Sequence, residues 1–402
     1  MSVEAEWTIL VFLNAKNNLE PFAFPNFEQM ASIGSTPEVN LVVEMGRPKN
    51  HYSFKFGAWS KTLRFLIERN AVPTEAKAIE DLGATNMGDA GSLVDFVRWG
   101  RKTYPAKRTM LVIWNHGQGW RAPPEAGVPP ADPAVPHGGY RYVSNDDDTG
   151  DKLYNRAIQD ALADLLGDER IDLLAFDACL MAMVETAYAF RGVARVMVGS
   201  EELEPGNGWD YTQWLQPLVD AKGMVEAAEL GRLLVRGMKK AYGDTDPTTL
   251  SAADLDNVSA LASAISAFSE TAIPLLGSKR DAFRAARDAC KNYAPPYELH
   301  SIDLGHYMEQ IEKNVASPAL KQRAADVRTR VTELIIENYA SAMRQGGFGS
   351  TGVAIYYPNS GAAHDRDPDR SGYDAANKLF PVEFVQKEQW ARFLREYWKV
   401  VP

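Results

Sequence analysis

Cysteine and histidine are both scarce in this chain of 402 residues. The two cysteines, Cys179 and Cys290, can form at most one bridge, so the sequence excludes a disulfide-built scaffold. The six histidines are scattered, and the sequence contains neither an HExxH motif nor a pair of CxxC motifs. We therefore expect no transition-metal site.

Basic residues are fewer than acidic residues. Lysine and arginine number 43 against 53 aspartate and glutamate residues, which gives a formal net charge of -10. This balance argues against a general affinity for nucleic acids or anionic membrane surfaces. The N-terminus has no basic segment, and the apolar run at residues 8–13 is too short for a signal sequence or a membrane span. From the sequence as given we expect a soluble monomer in the cytoplasm. If a leader is missing from this sequence, we expect a secreted protein.

Five short apolar runs, rich in β-branched residues, are separated by long helical or loop segments. They lie at residues 8–13, 39–44, 110–114, 171–176 and 193–198. This pattern predicts parallel strands buried on both faces of a mostly parallel sheet, and hence the α/β class with flanking helices. Residues 91–104 present an apolar helical face and precede Pro105, so we interpret them as the crossover helix into the third run.

From about residue 224 the pattern changes to long amphipathic segments. Helices are predicted at residues 224–241, 255–275, 279–292, 303–314, 317–339 and 388–398, with one late strand at residues 352–357. We therefore divide the chain into residues 1–250, which carry the sheet, and residues 251–402, which form a mainly helical C-terminal subdomain.

An imidazole and a thiol follow two consecutive predicted strands. His116 comes after the third run and Cys179 after the fourth. Ligand-binding side chains gather at the carboxyl ends of the strands in an open α/β sheet, so Cys179 and His116 can meet as a nucleophile and its base. A helix over residues 180–190 begins at or just after Cys179 and lowers the pKa of its thiol.

Backbone N–H groups next to this pair can also stabilise a reaction intermediate. The backbone N–H groups of Gly117 and Cys179 can both point into the crevice and form an oxyanion hole, and a glycine after His116 permits the close approach that this requires. The alternative is that His116 and Cys179 are structural, because a cysteine at a strand end is more often a small buried apolar residue.

Three stretches around these residues resemble the clostripain family of cysteine peptidases. They are residues 111–117 (LVIWNHG), 174–179 (LAFDAC) and 200–211 (SEELEPGNGWDY), and the similarity extends over most of the chain. The resemblance implies the caspase-like fold that this family shares with caspases, legumains, gingipains and separases, with residues 1–250 as the catalytic domain.

The resemblance also implies an activity. It predicts a cysteine endopeptidase that hydrolyses peptide bonds after Arg or Lys through a thioester acyl-enzyme. Cys179 is then the nucleophile, His116 is the second member of a dyad, and Gly117 and Cys179 supply the oxyanion N–H groups.

Acidic side chains are expected to select the basic residue of the substrate. Asp177 shares strand phase with Cys179, so its carboxylate can lie beside the nucleophile; the alternative is that it caps the following helix. The loop after the fifth strand offers a second wall, formed by Glu201, Glu202, Glu204 and Asp210. Asn207 departs from the family pattern, which often has an aspartate in this loop, and its amide binds guanidinium with weaker charge complementarity. Apolar walls, or else core packing, are expected from Trp120 and Trp209.

Many members of the family cut themselves in the loop between the His and Cys strands. Here the loop lies between residues 117 and 152, and its stretch 123–139 has too many prolines and glycines for a helix or a central strand. The candidate self-cleavage sites are Arg141, Lys152 and Arg121, of which Arg141 is preferred. The alternatives are a fixed loop or an insertion without function.

Calcium is the one cofactor that the sequence leaves open. Some relatives require it, and oxygen ligands at short spacing are offered by Asp146, Asp147, Asp148 and Asp151. The EF-hand pattern is absent, because no glycine stands at the sharp-turn position and no glutamate follows at the required distance. We therefore interpret this segment as a solvated acidic turn and predict no metal site.

Two other functions stay open at this point. One is a noncatalytic caspase-like scaffold whose helical C-terminal half binds a partner. The other is a peptidase of the same fold that prefers Asn or Asp. For a peptidase of either preference, the expected partner is a peptide or protein substrate.

Overall fold

The computed structural model describes residues 4–121, 142–295, 299–344, 349–378 and 381–402. Within these ranges the strands form one nine-stranded sheet and two small two-stranded sheets. The strands are β1 (Ala5–Asn14), β2 (Val39–Gly46), β3 (Thr62–Leu66), β4 (Glu80–Asp81), β5 (Ala106–Trp114), β6 (Ser144–Asn145), β7 (Lys152–Leu153), β8 (Ile171–Asp177), β9 (Ala194–Gly199), β10 (Thr249–Asp254), β11 (Ser301–Asp303), β12 (Ile335–Ala340) and β13 (Ala354–Tyr356).

The centre of the large sheet is parallel. Its strand order is β12-β10-β9-β8-β5-β1-β2-β3-β4, and the five strands from β9 to β2 run parallel to their neighbours. The pairs at both edges are antiparallel. The five predicted strands correspond to these five parallel strands, so the prediction of a mostly parallel α/β sheet is confirmed.

Helices cover both faces of this sheet, which is why its central strands are apolar on both sides. The helices are α1 (Glu20–Ile33), α2 (Ala90–Thr103), α3 (Asn155–Leu166), α4 (Val184–Phe190), α5 (Tyr211–Asp220), α6 (Ala227–Tyr242), α7 (Val258–Ala272), α8 (Leu276–Asp288), α9 (Leu304–Asn314), α10 (Pro318–Leu334), α11 (Gly361–Arg366), α12 (Glu383–Lys387) and α13 (Trp390–Val400). One face carries α1, α5 and α6, and the other carries α2, α3, α4 and the C-terminal helices.

The C-terminal half extends the core of the N-terminal half. Phe176 of β8, Phe268 of α7 and Trp390 of α13 belong to one continuous apolar cluster. Strands β10 and β12 are part of the central sheet. The sheet and its core therefore continue across the division predicted at residue 250. The predicted late strand contains β13, which pairs with β11 in a small antiparallel sheet.

One predicted helix is too long. The prediction at residues 317–339 is wrong after Leu334, where α10 ends and β12 begins. β12 pairs antiparallel with β10 and completes that edge of the central sheet. The hydrogen bonds of this pairing override the local amphipathic pattern, which also fits a helix.

One helical stretch among the described residues, Leu255–Asp288, is long and apolar enough to cross a membrane by length and composition alone. A core helix of a soluble protein meets the same criteria. The stretch contains α7, whose residues Val258, Leu261 and Phe268 are buried in the apolar cluster. The absence of membrane association therefore stays a prediction.

Candidate active site

Strands β5 and β8 bring His116 and Cys179 to the same edge of the sheet. The strands are parallel neighbours, and Trp114 stands opposite Asp177 in their register. His116 and Cys179 each follow two residues later, so they leave the sheet at the same level. Both residues line a cavity of about 380 Å³ at the carboxyl ends of the strands. This is the region in which open α/β sheets bind ligands.

Gly117 packs directly against the backbone of Cys179. A Cβ atom at position 117 would lie 2.3 Å from the Cys179 carbonyl oxygen and 3.0 Å from its backbone nitrogen. These are backbone atoms that cannot swing aside, so the contact requires glycine. Among the described residues, no acceptor receives a hydrogen bond from the backbone N–H of Gly117 or of Cys179. Both N–H groups are available to a ligand.

The imidazole of His116 is oriented by Asn18, a residue that the sequence analysis missed. Asn18 Oδ1 lies 2.9 Å from His116 Nε2 and can accept a hydrogen bond from it. The backbone of the same loop is held by Asn115, whose Oδ1 accepts from His116 N (2.7 Å) and whose Nδ2 donates to Asn14 O (2.6 Å). A proton on Nε2 puts the lone pair of the neutral His116 ring on Nδ1, which is then the nitrogen that can act as the base.

The segment after Cys179 differs from the prediction. Helix α4 begins at Val184, and Leu180 has a positive φ of 62°, so the chain turns before the helix starts. The prediction that Cys179 stands at a helix N-terminus is therefore wrong, and the helix dipole does not lower the pKa of its thiol. Burial, together with the carboxylates of Glu204, Glu202 and Asp177, raises the pKa of Cys179 to about 12.

Asp177 faces the cavity from the end of β8. Its side chain is buried, with 4% of its surface exposed, and Oδ2 accepts hydrogen bonds from Trp209 N (3.4 Å) and the Tyr211 hydroxyl (3.0 Å). Gly208, at a φ of +62°, would place a Cβ 2.8 Å from Asp177 Oδ1. These contacts run to the loop after β9. The alternative role as a helix cap does not fit, because α4 starts seven residues later and no side chain caps it.

Of the four acids predicted in the loop after β9, the structure places only Glu204 on the cavity wall. Its backbone N–H donates to Cys179 Sγ (3.2 Å), and its Oε1 accepts from the indole of Trp209 (3.2 Å). Glu204 therefore lies beside both the thiol and Asp177.

The other residues predicted in this loop have contacts elsewhere. Glu201 accepts from Gly352 N (3.3 Å), and Glu202 pairs with Arg344 (2.9 Å). Asp210 caps α5 by accepting from Thr212 N (3.0 Å). Asn207 is exposed, and its carbonyl oxygen accepts from Asn26 Nδ2 (3.0 Å). None of the four is part of the cavity wall.

The two predicted tryptophans are buried, and neither is part of the cavity wall. Trp120 packs edge-on against Tyr356 and Tyr373, with ring centroids 5.0 Å apart in both pairs. Trp209 contacts both acids of the cavity wall: its backbone N–H donates to Asp177 and its indole N–H donates to Glu204. The apolar part of the cavity wall is formed instead by Leu19, Phe22, Trp114, Leu203 and Leu299.

The candidate self-cleavage sites differ in accessibility. Arg141 lies outside the described residues. Lys152 is exposed on β7, with its ammonium group 4.9 Å from the ring centre of Tyr142. Arg121 is buried and pairs with Asp367 (2.9 Å) and Asp369 (2.7 Å), so its guanidinium cannot enter a second active site in this arrangement.

Replacing Arg121 with methionine is expected to lower the free energy of unfolding by about 3–5 kcal/mol, because two buried carboxylates lose the cation between them. Arg156, which pairs with Asp160 on the surface of α3, is the matched control. Its replacement with methionine is expected to cost less than about 0.5 kcal/mol. Urea denaturation measures both values, and equal losses in the two variants would contradict the structural role of Arg121.

The predicted acidic turn is held by protein contacts. Asp146 pairs with Lys16 (3.2 Å) and accepts from the backbone N–H groups of Met87, Asp148 and Thr149. Asp148 accepts from Lys49 N (2.9 Å). Within the described ranges, no three His, Cys, Asp or Glu side chains are grouped so that they could hold a metal ion. The role of calcium stays a prediction.

Comparisons with known proteins agree with this geometry. The clostripain family model matches residues 11–398. Clostripain from Hathewaya histolytica is 30% identical over 220 residues, which are 51% of this chain and 40% of that protein. The chain therefore matches about two fifths of that relative's length.

Two solved structures share the fold over almost the whole chain. A secreted C11 cysteine protease from Bacteroides thetaiotaomicron, in complex with an irreversible peptide inhibitor, has a TM-score of 0.66 at 19% identity, with 97% of this chain and 99% of that chain covered. An inactive zymogen C11 protease from Parabacteroides distasonis has a TM-score of 0.64 at 17% identity, with 98% and 99% covered. These likenesses confirm the caspase-like fold, and the family model over nearly the full length shows that the chain belongs to the clostripain family of cysteine peptidases.

Proposed function

We propose that this chain is a cysteine endopeptidase that hydrolyses peptide bonds after Arg or Lys, with Cys179 and His116 as its dyad. The observation that carries the proposal is that His116, Gly117 and Cys179 meet in one cavity whose wall also holds Asp177 and Glu204. Family membership supports peptidase activity, and peptides or proteins are then the substrates.

The raised pKa of Cys179 determines how the first step proceeds. Because the thiol of the free protein is protonated at neutral pH, His116 has to take its proton as Sγ attacks the substrate carbonyl. The oxyanion that forms can accept hydrogen bonds from the N–H groups of Gly117 and Cys179. His116 then protonates the leaving amine, and water hydrolyses the thioester with His116 again as the base.

Specificity follows from the charge and shape of the cavity. Asp177 and Glu204 provide the carboxylates for a guanidinium or ammonium group, and apolar side chains such as Phe22 provide a surface for its aliphatic stem. In this proposal Glu204 supplies the second carboxylate in place of the aspartate that Asn207 lacks. A pocket for Asp would instead need a cation, and none of the described cavity residues is Lys or Arg. A pocket for the neutral amide of Asn would not need two buried acids, because its hydrogen bonds can be made by uncharged groups.

Replacing Asp177 with asparagine is expected to lower kcat/KM for arginyl peptides by about 30- to 1000-fold, because a buried charge-assisted contact is worth about 2–4 kcal/mol. The preference over a norleucyl peptide should fall by the same factor. Asp210→Asn is the matched control: it removes an acid that lies outside the cavity, and asparagine caps helices as well as aspartate. If the Asp177→Asn and Asp210→Asn proteins lost equal activity, Asp177 would not select the substrate.

Replacing Asn18 with alanine is expected to lower kcat by roughly 10- to 100-fold with little change in KM, because the His116 ring loses the acceptor that orients it. Asn18→Asp retains an acceptor oxygen and should recover much of the rate. Its charge should also raise the pH at which the acidic limb of kcat appears. A rise in KM at unchanged kcat would instead place Asn18 in substrate binding.

The basic residues between the His and Cys strands bear on self-cleavage. Lys152 is exposed and Arg121 is buried, so we propose that self-cleavage, if the protein is made as a precursor, occurs after Lys152 or after Arg141, the site preferred from the sequence. A calcium requirement has no support in the contacts of Asp146. Cellular location and oligomeric state stay predictions, and one of the structural relatives is a secreted protease.

A further inference from the structure

Asp177 and Glu204 form an acid pair on the cavity wall. Trp209 bridges them, because its backbone N–H donates to Asp177 Oδ2 (3.4 Å) and its indole N–H donates to Glu204 Oε1 (3.2 Å). The two carboxyl groups are close enough that the charge of Asp177 raises the pKa of Glu204. Glu204 Oε2 is buried and has no hydrogen-bond partner among the described residues. A buried carboxylate oxygen without a donor, beside a second buried carboxylate, costs free energy, and this cost falls if one of the two carboxyl groups keeps its proton.

No cation balances this pair among the described residues. Every ion pair formed by the described lysines and arginines involves other acids, and the nearest acid of the same loop, Glu202, is paired with Arg344. Four titratable groups surround the pair. The Tyr211 hydroxyl donates to Asp177, and the Tyr242 hydroxyl on α6 donates to Gly208 O. The other two are the thiol of Cys179 and the imidazole of His116, which line the same cavity. The tyrosine hydroxyls and the thiol are neutral or negative at every pH, so they cannot serve as counter-ions. Two buried carboxylates without a counter-ion cannot both ionise easily.

We propose, as an extension of the proposed function, that the empty pocket holds one proton between Asp177 and Glu204 and that a bound basic side chain replaces it. The guanidinium or ammonium group of the substrate then contacts two carboxylates, and one proton leaves to the solvent. Charge balances in this exchange, because one positive charge enters the pocket as another leaves. Glu204 is therefore a specificity residue whose charge appears only when substrate is bound.

The pKa values of Asp177 and Glu204 are both raised, as expected for two neighbouring buried carboxyl groups. Burial raises the pKa of Asp177 to about 6. Burial and the charge of Asp177 hold the pKa of Glu204 well above its usual range. As the pH rises, Asp177 therefore loses its proton first, and Glu204 is the carboxyl group that keeps one in the empty pocket. A substrate cation lowers the pKa of Glu204 again, so binding becomes tighter as the pH rises and the proton is released more easily.

The Glu204→Gln variant tests the exchange. Glutamine resembles the protonated acid: its oxygen can accept from Trp209 and its amide can donate to Asp177, so the pocket should keep its shape. The wild-type to Glu204→Gln ratio of kcat/KM for an arginyl peptide is expected to rise with pH, by up to about 10-fold per pH unit where a full proton is released. His116 and Cys179 affect both proteins alike and cancel in the ratio. A norleucyl peptide should give a ratio that does not change with pH, and Asp210→Asn should behave as the wild type.

A binding measurement counts the proton without relying on turnover. Calorimetric titration of the Cys179→Ala protein with an arginyl peptide, in buffers of different ionisation enthalpy, should show the release of up to about one proton near neutral pH. The Cys179→Ala, Glu204→Gln double variant should release close to none. A pH-independent kinetic ratio together with equal proton release in the two proteins would overturn the exchange.

Failure of the exchange is distinguishable from failure of the proposed function. If only the exchange is wrong, the protein still cleaves after basic residues and Asp177→Asn still loses that activity, while the Glu204→Gln results do not depend on pH. If the proposed function is wrong, arginyl peptides are not cleaved, or they are cleaved equally well by the Cys179→Ala protein.

Discussion

Replacing Cys179 with alanine is expected to lower kcat/KM for arginyl peptides by on the order of 10⁴- to 10⁶-fold, the loss that follows when the nucleophile of a covalent mechanism is removed. Only a partly buried thiol on the cavity wall is lost, and Ala178 and Gly117 already pack against each other without it. The fold and thermal stability should change little. If self-cleavage occurs, the same variant should remain a single chain, which the intact mass of the purified protein would show.

The second cysteine provides the matched control. Cys290 is buried at the end of α8, where its Sγ lies 3.4 Å from Ala286 O, and it belongs to the apolar core. Cys290→Ala should cost some stability and leave kcat/KM near the parent value. If the Cys179→Ala protein hydrolysed arginyl peptides at the parent rate, the assignment of Cys179 as nucleophile would be refuted.

Replacing Gly117 with alanine is expected to lower kcat/KM by on the order of 10²- to 10³-fold, because the added methyl group separates the two halves of the active site. The new Cβ would lie 2.3 Å from the Cys179 carbonyl oxygen, so either the loop that carries His116 or the turn at Cys179 has to move. Both the proton transfer to His116 and the pair of oxyanion N–H groups depend on that contact.

Gly192 is the matched control for this substitution. A Cβ at position 192 would have no atom within 4 Å, and the residue is not at a positive φ, so Gly192→Ala should leave activity and melting temperature nearly unchanged. Steady-state kinetics and thermal unfolding of both variants make the comparison. Parent-like activity in Gly117→Ala would show that the two backbones do not need to be this close for the reaction.

The sheet could be predicted from the sequence because its central strands are buried on both faces. Such strands have continuous apolar runs that few other structures require, and all five of them were recognised. The end of α10 could not be predicted in the same way. The sequence of β12 shows no alternation and continues the amphipathic pattern of α10, so only pairing with β10, about 85 residues earlier in the chain, decides between strand and helix.

The chemistry at the site was easier to predict than its supporting contacts. His116 and Cys179 each follow a strand, and the register of parallel strands brings them together. Asn18 follows β1 in a run of polar residues, and no local pattern separates it from its neighbours. Glu202 and Glu204 are two residues apart, so their different partners depend on a turn whose path only the tertiary structure defines.

The most direct test of the account is covalent labelling with a peptidyl-arginine probe that carries an irreversible thiol-reactive ketone. The account predicts one adduct per chain, located on Cys179 by peptide mapping, with none on Cys290 and none in the Cys179→Ala protein. An otherwise identical probe that ends in aspartate should give little labelling. A Cys290 adduct, or equal labelling by the arginyl and aspartyl probes, would contradict a basic-specific pocket built around Cys179.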